Sequence, residues 1–193
     1  IVHPIGNVLW RNDGPGCGGW CWTDASSETG AGATRNSMGL AVGDYDNDLD
    51  LDFYFSDMGT TMSLLQNEGG RFQNVSETAG VGAERELYGN IVGWGTAFFD
   101  YDNNGWLDLF LATTGYSMSF TSPGPTGILD RFPNVLYQNQ GNGTFIDVTP
   151  PSWKDQDRAS LGIAYADYDN DGFIDLIVGN FNLGYSLQRN SGL

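Results

Sequence analysis

The sequence predicts an all-β fold of short antiparallel strands, and three observations lead to this prediction. Glycine is abundant, with 28 among 193 residues, and aromatic residues make up 13% of the chain, whereas lysine and arginine together number only 8. This composition suits short strands joined by turns better than it suits helices. An aspartate-rich loop recurs three times between apolar segments, and a strand followed by a Gly/Asn turn trails each copy. The length is sufficient for one or two domains with a hydrophobic core.

The aspartate-rich loop is the most informative motif. Its last copy, DYDNDGFID at residues 167–175, has carboxylates at positions 1, 3, 5 and 9 and a glycine at position 6. Carboxylates this close repel one another unless a cation lies among them, and Ca²⁺, a hard cation with six to eight oxygen ligands, is the usual one. The glycine allows a backbone conformation that other residues avoid. The apolar run Leu176-Ile177-Val178 that follows predicts a buried strand.

Two further copies lie upstream, DYDNNGWLD at residues 100–108 and DYDNDLDLD at residues 44–52. An EF-hand loop would need a bidentate glutamate at position 12 and a helix on each side. Position 12 is instead Phe55, Leu111 or Val178, and the flanking segments have the character of strands. We therefore predict three Ca²⁺ loops, each using the side chains at positions 1, 3, 5 and 9 and the carbonyl oxygen at position 7. A solvated acidic turn is the alternative interpretation.

The charge of the chain excludes one class of partner. The net charge is −16, and 12 of the 24 acidic residues lie in the three loops. Three bound Ca²⁺ ions would bring the charge to −10, and a nucleic acid is not an expected partner. No apolar run approaches the roughly 20 residues of a membrane span, so no membrane insertion is expected. The sequence begins at Ile1 without a signal peptide, and we expect a processed product or a fragment.

The two cysteines, Cys17 and Cys21, lie close together. A zinc site needs four ligands, and the sequence offers only one histidine, His3, besides this pair. A free-thiol pair is an alternative, but we predict a small-loop disulfide. Oxidising conditions and millimolar Ca²⁺ both belong outside the cytosol, so the expected location is extracellular, either secreted or at the cell surface.

A second motif, a strand followed by a turn and a returning strand, predicts β-hairpins. It follows the loops at residues 64–72, 135–148 and 186–192, and it also occurs at residues 7–14 without a preceding loop. A glycine precedes the first aspartate of each loop by five residues, at Gly39, Gly95 and Gly162. The chain therefore divides into four predicted units: the second half of a repeat (1–35), two complete repeats (36–90 and 91–156) and a partial repeat (157–193). The second complete repeat carries a long Ser/Thr/Gly/Pro-rich loop inserted at 116–133, which is either a ligand-binding segment or a tolerated insertion without a role.

Residues 161–179 and 94–112 resemble the FG-GAP/VCBS repeats of integrin-α-like, Ca²⁺-binding β-propellers. The resemblance implies that each repeat is one blade of four antiparallel strands, with the Ca²⁺ loop between its first two strands. About three repeats imply a propeller that is incomplete or is completed between chains, since closed propellers need about four to eight blades. The implied side-chain ligands are Asp44, Asp46, Asp48 and Asp52; Asp100, Asp102, Asn104 and Asp108; and Asp167, Asp169, Asp171 and Asp175. The implied carbonyl ligands belong to Asp50, Trp106 and Phe173.

Two loops depart from this pattern. Leu49 occupies the position of the turn glycine, which predicts some loss of affinity in that loop. The loop at 100–108 carries three carboxylates, against five and four in the others, so the carboxylate count ranks it as the weakest site.

The predicted function is that of an extracellular Ca²⁺-stabilised module for adhesion or for binding a protein or glycan through loops on one face. A structural subunit of a surface layer, fibre or larger complex is the alternative, and either interpretation admits self-association or further blades. A secreted carbohydrate-active enzyme or a lectin is less favoured. The acid pairs Asp155/Asp157 and Glu84/Glu86 fit solvated turns, and only His3 could serve a Ser/His/Asp set, so no enzyme is expected. The sequons at Asn74 and Asn142 leave glycosylation open.

Overall fold

The computed structural model describes residues 6–32, 36–58, 62–83, 91–119, 126–130, 132–154, 159–181 and 183–192. The predicted all-β fold is confirmed. The strands are β1 (Trp10–Gly16), β2 (Gly19–Asp24), β3 (Ser37–Gly43), β4 (Asp52–Asp57), β5 (Ser63–Asn67), β6 (Phe72–Asn74), β7 (Ile91–Phe99), β8 (Asp108–Ser119), β9 (Thr126–Asp130), β10 (Val135–Asn139), β11 (Phe145–Asp147), β12 (Ser160–Ala166), β13 (Asp175–Asn180) and β14 (Gly184–Gln188). The described residues also form the one-turn helices α1 (Ser26–Thr29), α2 (Ser76–Ala79) and α3 (Pro151–Lys154). The predicted candidates His3, Glu84, Glu86, Asp155 and Asp157 lie outside the described residues.

The strands form a two-stranded N-terminal hairpin (β1–β2) and three antiparallel sheets. Sheet 1 has the order β3-β4-β5-β6, sheet 2 the order β7-β8-β10-β11, and sheet 3 the order β12-β13-β14. Each aspartate-rich loop joins the first two strands of its sheet, as the resemblance implies. The described sheets do not close into a ring, which fits an incomplete propeller. The boundaries of the four repeat units stay a prediction.

The predicted insertion at 116–133 is strand rather than loop over much of its described part. β8 runs on to Ser119, and β9 pairs with it in antiparallel register from Gly115↔Asp130 to Ser119↔Thr126. The physical reason is that an extended hairpin satisfies the backbone N–H and C=O groups that an irregular loop would leave unpaired. The insertion therefore adds the strand β9 to sheet 2, paired with the end of β8.

The hydrophobic core lies between neighbouring sheets, and sheet 2 contributes to it from both of its faces. Successive side chains of a strand point to opposite faces, and β7 uses this alternation. Phe98 packs with Tyr54 of sheet 1 and with Tyr45 of the loop between β3 and β4 in one buried cluster. Phe99 packs with Leu176 and other side chains of sheet 3 in a second cluster. The sheets are therefore stacked face to face in chain order.

The N-terminal hairpin carries the predicted disulfide between Cys17 and Cys21, and this prediction is confirmed. The bond lies at the tip, where Gly16 pairs with Gly19. The hairpin is tied to its own returning segment, since the backbone N–H of Leu9 donates to Ser26 Oγ at 2.9 Å. The disulfide therefore pins the tip of a hairpin whose base is held by hydrogen bonds.

Candidate metal centres

The three aspartate-rich loops, named loop 1 (44–52), loop 2 (100–108) and loop 3 (167–175), share one backbone fold. The position-1 carboxylate accepts hydrogen bonds from the backbone N–H groups of positions 5 and 6. In loop 2 these bonds measure 3.0 Å from Asn104 to Asp100 Oδ1 and 2.8 Å from Gly105 to Asp100 Oδ2. Equivalent bonds occur at Asp44 and Asp167. The first aspartate therefore holds its own loop in a tight turn.

Position 6 has a left-handed backbone in all three loops, which accounts for the glycine there. The φ angles are 88° at Gly105, 90° at Gly172 and 77° at Leu49. A residue other than glycine is strained at such a φ angle, so loop 1 forms the same turn at a conformational cost. The Leu49 side chain is 92% exposed and gains no packing in return. Loop 1 therefore differs from the other two loops in the side chain at position 6 and not in the shape of its backbone.

The ninth-position aspartates are buried at the start of the second strand of each sheet. Asp52 and Asp108 are fully buried, and Asp175 is nearly so. Each accepts a backbone N–H from position 2 of its loop and another from an asparagine of the following hairpin; in loop 2 these bonds measure 2.9 Å from Tyr101 and 2.8 Å from Asn139. Burial nevertheless raises the pKa of Asp52 and of Asp108 to about 6. A neighbouring cation would offset this cost of burying the charge.

The third-position aspartates are held by a side chain from the third strand region of their own sheet. Gln66 donates to Asp46 Oδ2 at 2.7 Å, and Gln138 donates to Asp102 Oδ2 at 2.7 Å. In loop 3 the donor is Arg189, which reaches Asp169 Oδ2 at 2.6 Å. This hydrogen bond raises the pKa of the Arg189 guanidinium.

The carboxylates converge in groups whose ligand atoms lie within 4.8 Å of one another. The groups are Asp44, Asp46 and Asp48 in loop 1; Asp100, Asp102 and Asp108 in loop 2; and Asp167, Asp169 and Asp175 in loop 3. Asp171 instead contacts Arg189 Nη2 at 3.3 Å. The Asp50 side chain accepts from the backbone N–H of Gly69 at 2.7 Å, so it holds the hairpin turn and leaves its carbonyl for the predicted role.

Recurring asparagines, whose role the sequence did not reveal, connect neighbouring loops. Asn139 donates through Nδ2 to the Tyr45 carbonyl of loop 1 at 2.8 Å, and Asn190 donates to the Tyr101 carbonyl of loop 2 at 2.6 Å. In the other direction, Asn47 and Asn103 donate to the position-6 carbonyls of the next loop, at 3.2 and 2.9 Å. The recurrence of the asparagines was visible, but their partners lie in another repeat.

A second missed device is an Asx-turn at the end of each returning strand. Its pattern, Asp or Asn followed two residues later by Ser or Thr, occurs at Asp24/Ser26, Asn74/Ser76 and Asp147/Thr149. Each hydroxyl in turn accepts a backbone N–H from the third strand region, at Leu9, Leu64 and Leu136. The Asn74 sequon therefore coincides with a structural motif of the repeat.

The raised carboxyl pKa values predict how the metal-free protein responds to pH. Between the ordinary value of 3.8 and about 6, Asp52 and Asp108 bind more protons in the folded than in the unfolded state. Their contribution to stability is therefore complete below the ordinary pKa and is lost as pH rises through about 6. Urea unfolding in EDTA across this range measures the effect. The control is a variant with Asp52→Asn and Asp108→Asn, which should flatten the slope; an unchanged slope would contradict the prediction.

Comparison with known proteins supports the assignment of the repeats. A family model described as an FG-GAP-like repeat matches residues 116–178, which include loop 3. Cartilage acidic protein 1 from Mus musculus is 43% identical over 51 residues, and the proteins of that name from Xenopus tropicalis and Homo sapiens are 41% and 39% identical over the same length. The match covers 26% of this chain and 8% of each relative. Residues 116–178 therefore carry an FG-GAP-like repeat, and the matches to the relatives are consistent with the resemblance found in the sequence.

Proposed function

We propose that the chain is an extracellular β-propeller-type module that binds Ca²⁺ for structural purposes and a protein or glycan as its ligand. One observation carries the metal assignment. Asp46 Oδ1 and Asp169 Oδ1 are buried and have no hydrogen-bond partner among the described residues. A buried carboxylate oxygen without a partner is costly, whereas a cation in the same loop would satisfy it. The acidic grouping and the unpartnered oxygens therefore support the same assignment independently.

The chemistry of the donors favours Ca²⁺. The predicted ligands are all oxygens, from carboxylates, one amide and backbone carbonyls, which are the ligands of hard cations. Loop 1 would use Asp44, Asp46, Asp48 and Asp52 with the carbonyl of Asp50; loop 2 Asp100, Asp102, Asn104 and Asp108 with that of Trp106; and loop 3 Asp167, Asp169, Asp171 and Asp175 with that of Phe173. Asn104 already accepts a bond through Oδ1 from the Trp106 N–H at 2.8 Å, which turns its amide oxygen toward the loop backbone.

The role we assign to the metal is to hold the sheets together. Each loop joins the first two strands of a sheet and is also bonded to the neighbouring loop through asparagine side chains. Mutual repulsion of the carboxylates would loosen both sets of bonds, and a bound cation removes that repulsion. The residues of this chain would in this way convert Ca²⁺ binding into folding free energy.

The extracellular location rests on the disulfide and on the Ca²⁺ requirement. A disulfide such as Cys17–Cys21 persists in oxidising compartments. Loops of this kind would fill at the millimolar Ca²⁺ found outside cells. No helix among the described residues is long and apolar enough to span a membrane.

We propose two segments for the ligand. We assign the first to the hairpin that the end of β8 forms with β9. The second is the disulfide-pinned hairpin, where the side chains of Trp10, Trp20 and Trp22 are each more than half exposed. Exposed indole rings suit stacking against sugar rings or burial in a protein interface. These segments support a binding role, and the proposal assigns no catalytic residue.

A second candidate, a structural subunit of a larger assembly, is favoured by the outer face of sheet 3. Tyr168, Ile177 and Leu187 are 51%, 41% and 48% exposed there. The residues at the same positions of the first complete repeat, Tyr45, Tyr54 and Leu64, are at most 2% exposed because sheet 2 covers them. The sequence of sheet 3 is thus suited to a covered face, and we infer that a further repeat of the same type covers it.

Melting with and without Ca²⁺ tests the proposal. At about 1 mM Ca²⁺, we expect the melting temperature to lie about 10 °C above its value in EDTA, because three sites that bind only the folded state add their linkage free energies. Mg²⁺ at the same ionic strength should have a smaller effect, since it demands stricter geometry. Light scattering on the same samples distinguishes a lone module from a self-assembling subunit.

A matched pair of variants makes the test specific. Asp46→Asn and Asp50→Asn each remove one negative charge from loop 1, but only Asp46 has the unpartnered buried oxygen. We expect Asp46→Asn to reduce the Ca²⁺-dependent shift clearly more than Asp50→Asn. Equal reductions of the Ca²⁺-dependent shift in the two variants would mean that the loop attracts Ca²⁺ only through its overall negative charge. If Ca²⁺ does not change the melting temperature of the wild-type chain, the metal assignment is refuted.

A further inference from the structure

One position differs chemically among three loops that are otherwise built alike. The residue just before the hairpin asparagine donates a hydrogen bond to the position-3 carboxylate in every loop. It is a neutral glutamine at Gln66 and Gln138, with bonds of 2.7 Å, and a cationic arginine at Arg189, with a bond of 2.6 Å. The hydrogen bond is therefore preserved in loop 3 while a positive charge is added.

The added charge lies among the predicted ligands of loop 3. Arg189 contacts Asp169 Oδ2 through Nε and Asp171 Oδ2 through Nη2, at 2.6 and 3.3 Å. With Arg189 counted, the four carboxylates of loop 3 give a net charge of −4 + 1 = −3, which equals the −3 of loop 2. Loop 1 keeps −5, and no described residue places a cation on it.

From this difference we propose that Arg189 is an affinity-determining residue, which makes loop 3 a weaker Ca²⁺ site than its four carboxylates would indicate. The proposal rests on the proposed Ca²⁺ function of the loops and deepens it. A guanidinium on two of the ligand carboxylates repels an incoming divalent cation and already neutralises part of the negative charge that would attract it. The ranking by carboxylate count, which makes loop 2 weaker than loop 3, would then no longer hold.

The size of the effect is limited by solvent. The Arg189 side chain is 56% exposed, so its interaction with a cation in the loop is screened by water and salt. We expect Arg189→Gln to tighten Ca²⁺ binding at loop 3 by about three- to tenfold at low ionic strength. The difference should shrink toward onefold near 1 M salt, where the Debye length is about 3 Å.

The experiment is a Ca²⁺ titration followed at each loop separately. The backbone amide resonances of Leu49, Gly105 and Gly172 report on loops 1, 2 and 3, because each N–H donates to the first aspartate of its own loop. Arg189→Gln recreates the glutamine found in the other two loops and keeps a hydrogen-bond donor. Arg189→Lys keeps the charge without the guanidinium fork and should leave the affinity low. The reciprocal Gln138→Arg should weaken loop 2 and leave loop 3 unchanged.

The outcomes separate the two proposals. Selective tightening of loop 3 in Arg189→Gln, with Arg189→Lys close to wild type, supports the charge role. An unchanged or weaker loop 3 in Arg189→Gln at low salt overturns it, as does a gain that persists at high salt. If none of the three amides responds to Ca²⁺ in the wild-type chain, it is the proposed metal function that fails.

Discussion

Replacing Gly39 with alanine is expected to lower the free energy of unfolding by about 3 kcal/mol, because the added methyl group overlaps the backbone of another sheet. A Cβ atom at Gly39 would lie 2.1 Å from the carbonyl oxygen of Trp94 and 3.1 Å from its carbonyl carbon. The same place is bridged by Ser56, whose Oγ accepts from the Gly39 N–H and donates to the Trp94 carbonyl. Neither backbone can move aside without separating sheet 1 from sheet 2.

The other two repeats provide matched controls for this substitution. At Gly95 the new Cβ would meet the Leu161 carbonyl oxygen at 3.0 Å, so a small shift accommodates it. At Gly162 nothing lies within 4 Å, and alanine should be neutral or slightly stabilising through its effect on the unfolded chain. Urea unfolding of the three variants should therefore rank Gly39→Ala, then Gly95→Ala, then Gly162→Ala by loss of stability. Equal losses would mean that the glycines serve backbone conformation and not the approach of the next sheet.

These glycines illustrate what the sequence could and could not predict. Their constant spacing from the aspartate loops could be recognised in the sequence, because it is a property of a single repeat. The reason for a glycine at these positions could not be predicted, since the carbonyl that lies over Gly39 belongs to Trp94 in the next sheet. The strand–loop–strand order and the disulfide depended on local patterns of alternation, turn residues and cysteine spacing, and both are found in the structure.

The candidate site likewise has features that the local sequence predicts and features that it does not. The convergence of acidic residues within each loop follows from their spacing in one tight turn, and the structure brings three of them together in each loop, without Asp52 in loop 1 and without Asp171 in loop 3. The position-3 donors, by contrast, come from strands 20 residues or more along the chain: Gln66 to Asp46, Gln138 to Asp102 and Arg189 to Asp169. Only the pairing of strands within each sheet shows which side chain reaches which loop. The long β8–β9 extension was missed for a different reason, because its Ser- and Gly-rich composition is typical of loops.

Asn139→Asp is expected to cost about 3 to 5 kcal/mol, the second large effect, although it exchanges a single NH₂ group for oxygen. Asn139 is 3% exposed and donates through Nδ2 to the carbonyls of Tyr45 and Leu107, at 2.8 and 2.9 Å. A carboxylate cannot donate, so both carbonyls lose their partner. The new charge would also be buried next to Asp108, which accepts from the Asn139 backbone N–H at 2.8 Å.

The corresponding asparagine of sheet 1 separates the inter-sheet bond from the local ones. Asn67 donates to its own loop at Leu51, at 3.1 Å, and its side-chain oxygen accepts from the Gly70 N–H. It is only half-buried, so Asn67→Asp should cost about 1 kcal/mol. Urea unfolding in EDTA compares the two variants without a contribution from bound metal. A cost for Asn139→Asp no greater than that for Asn67→Asp would mean that the bond to Tyr45 does not help to join sheet 2 to sheet 1. A clearly larger cost for Asn139→Asp in EDTA would support the inter-sheet role of this bond. If added Ca²⁺ then reduces that cost by offsetting the new charge, Asn139 and loop 2 unfold as one cooperative unit.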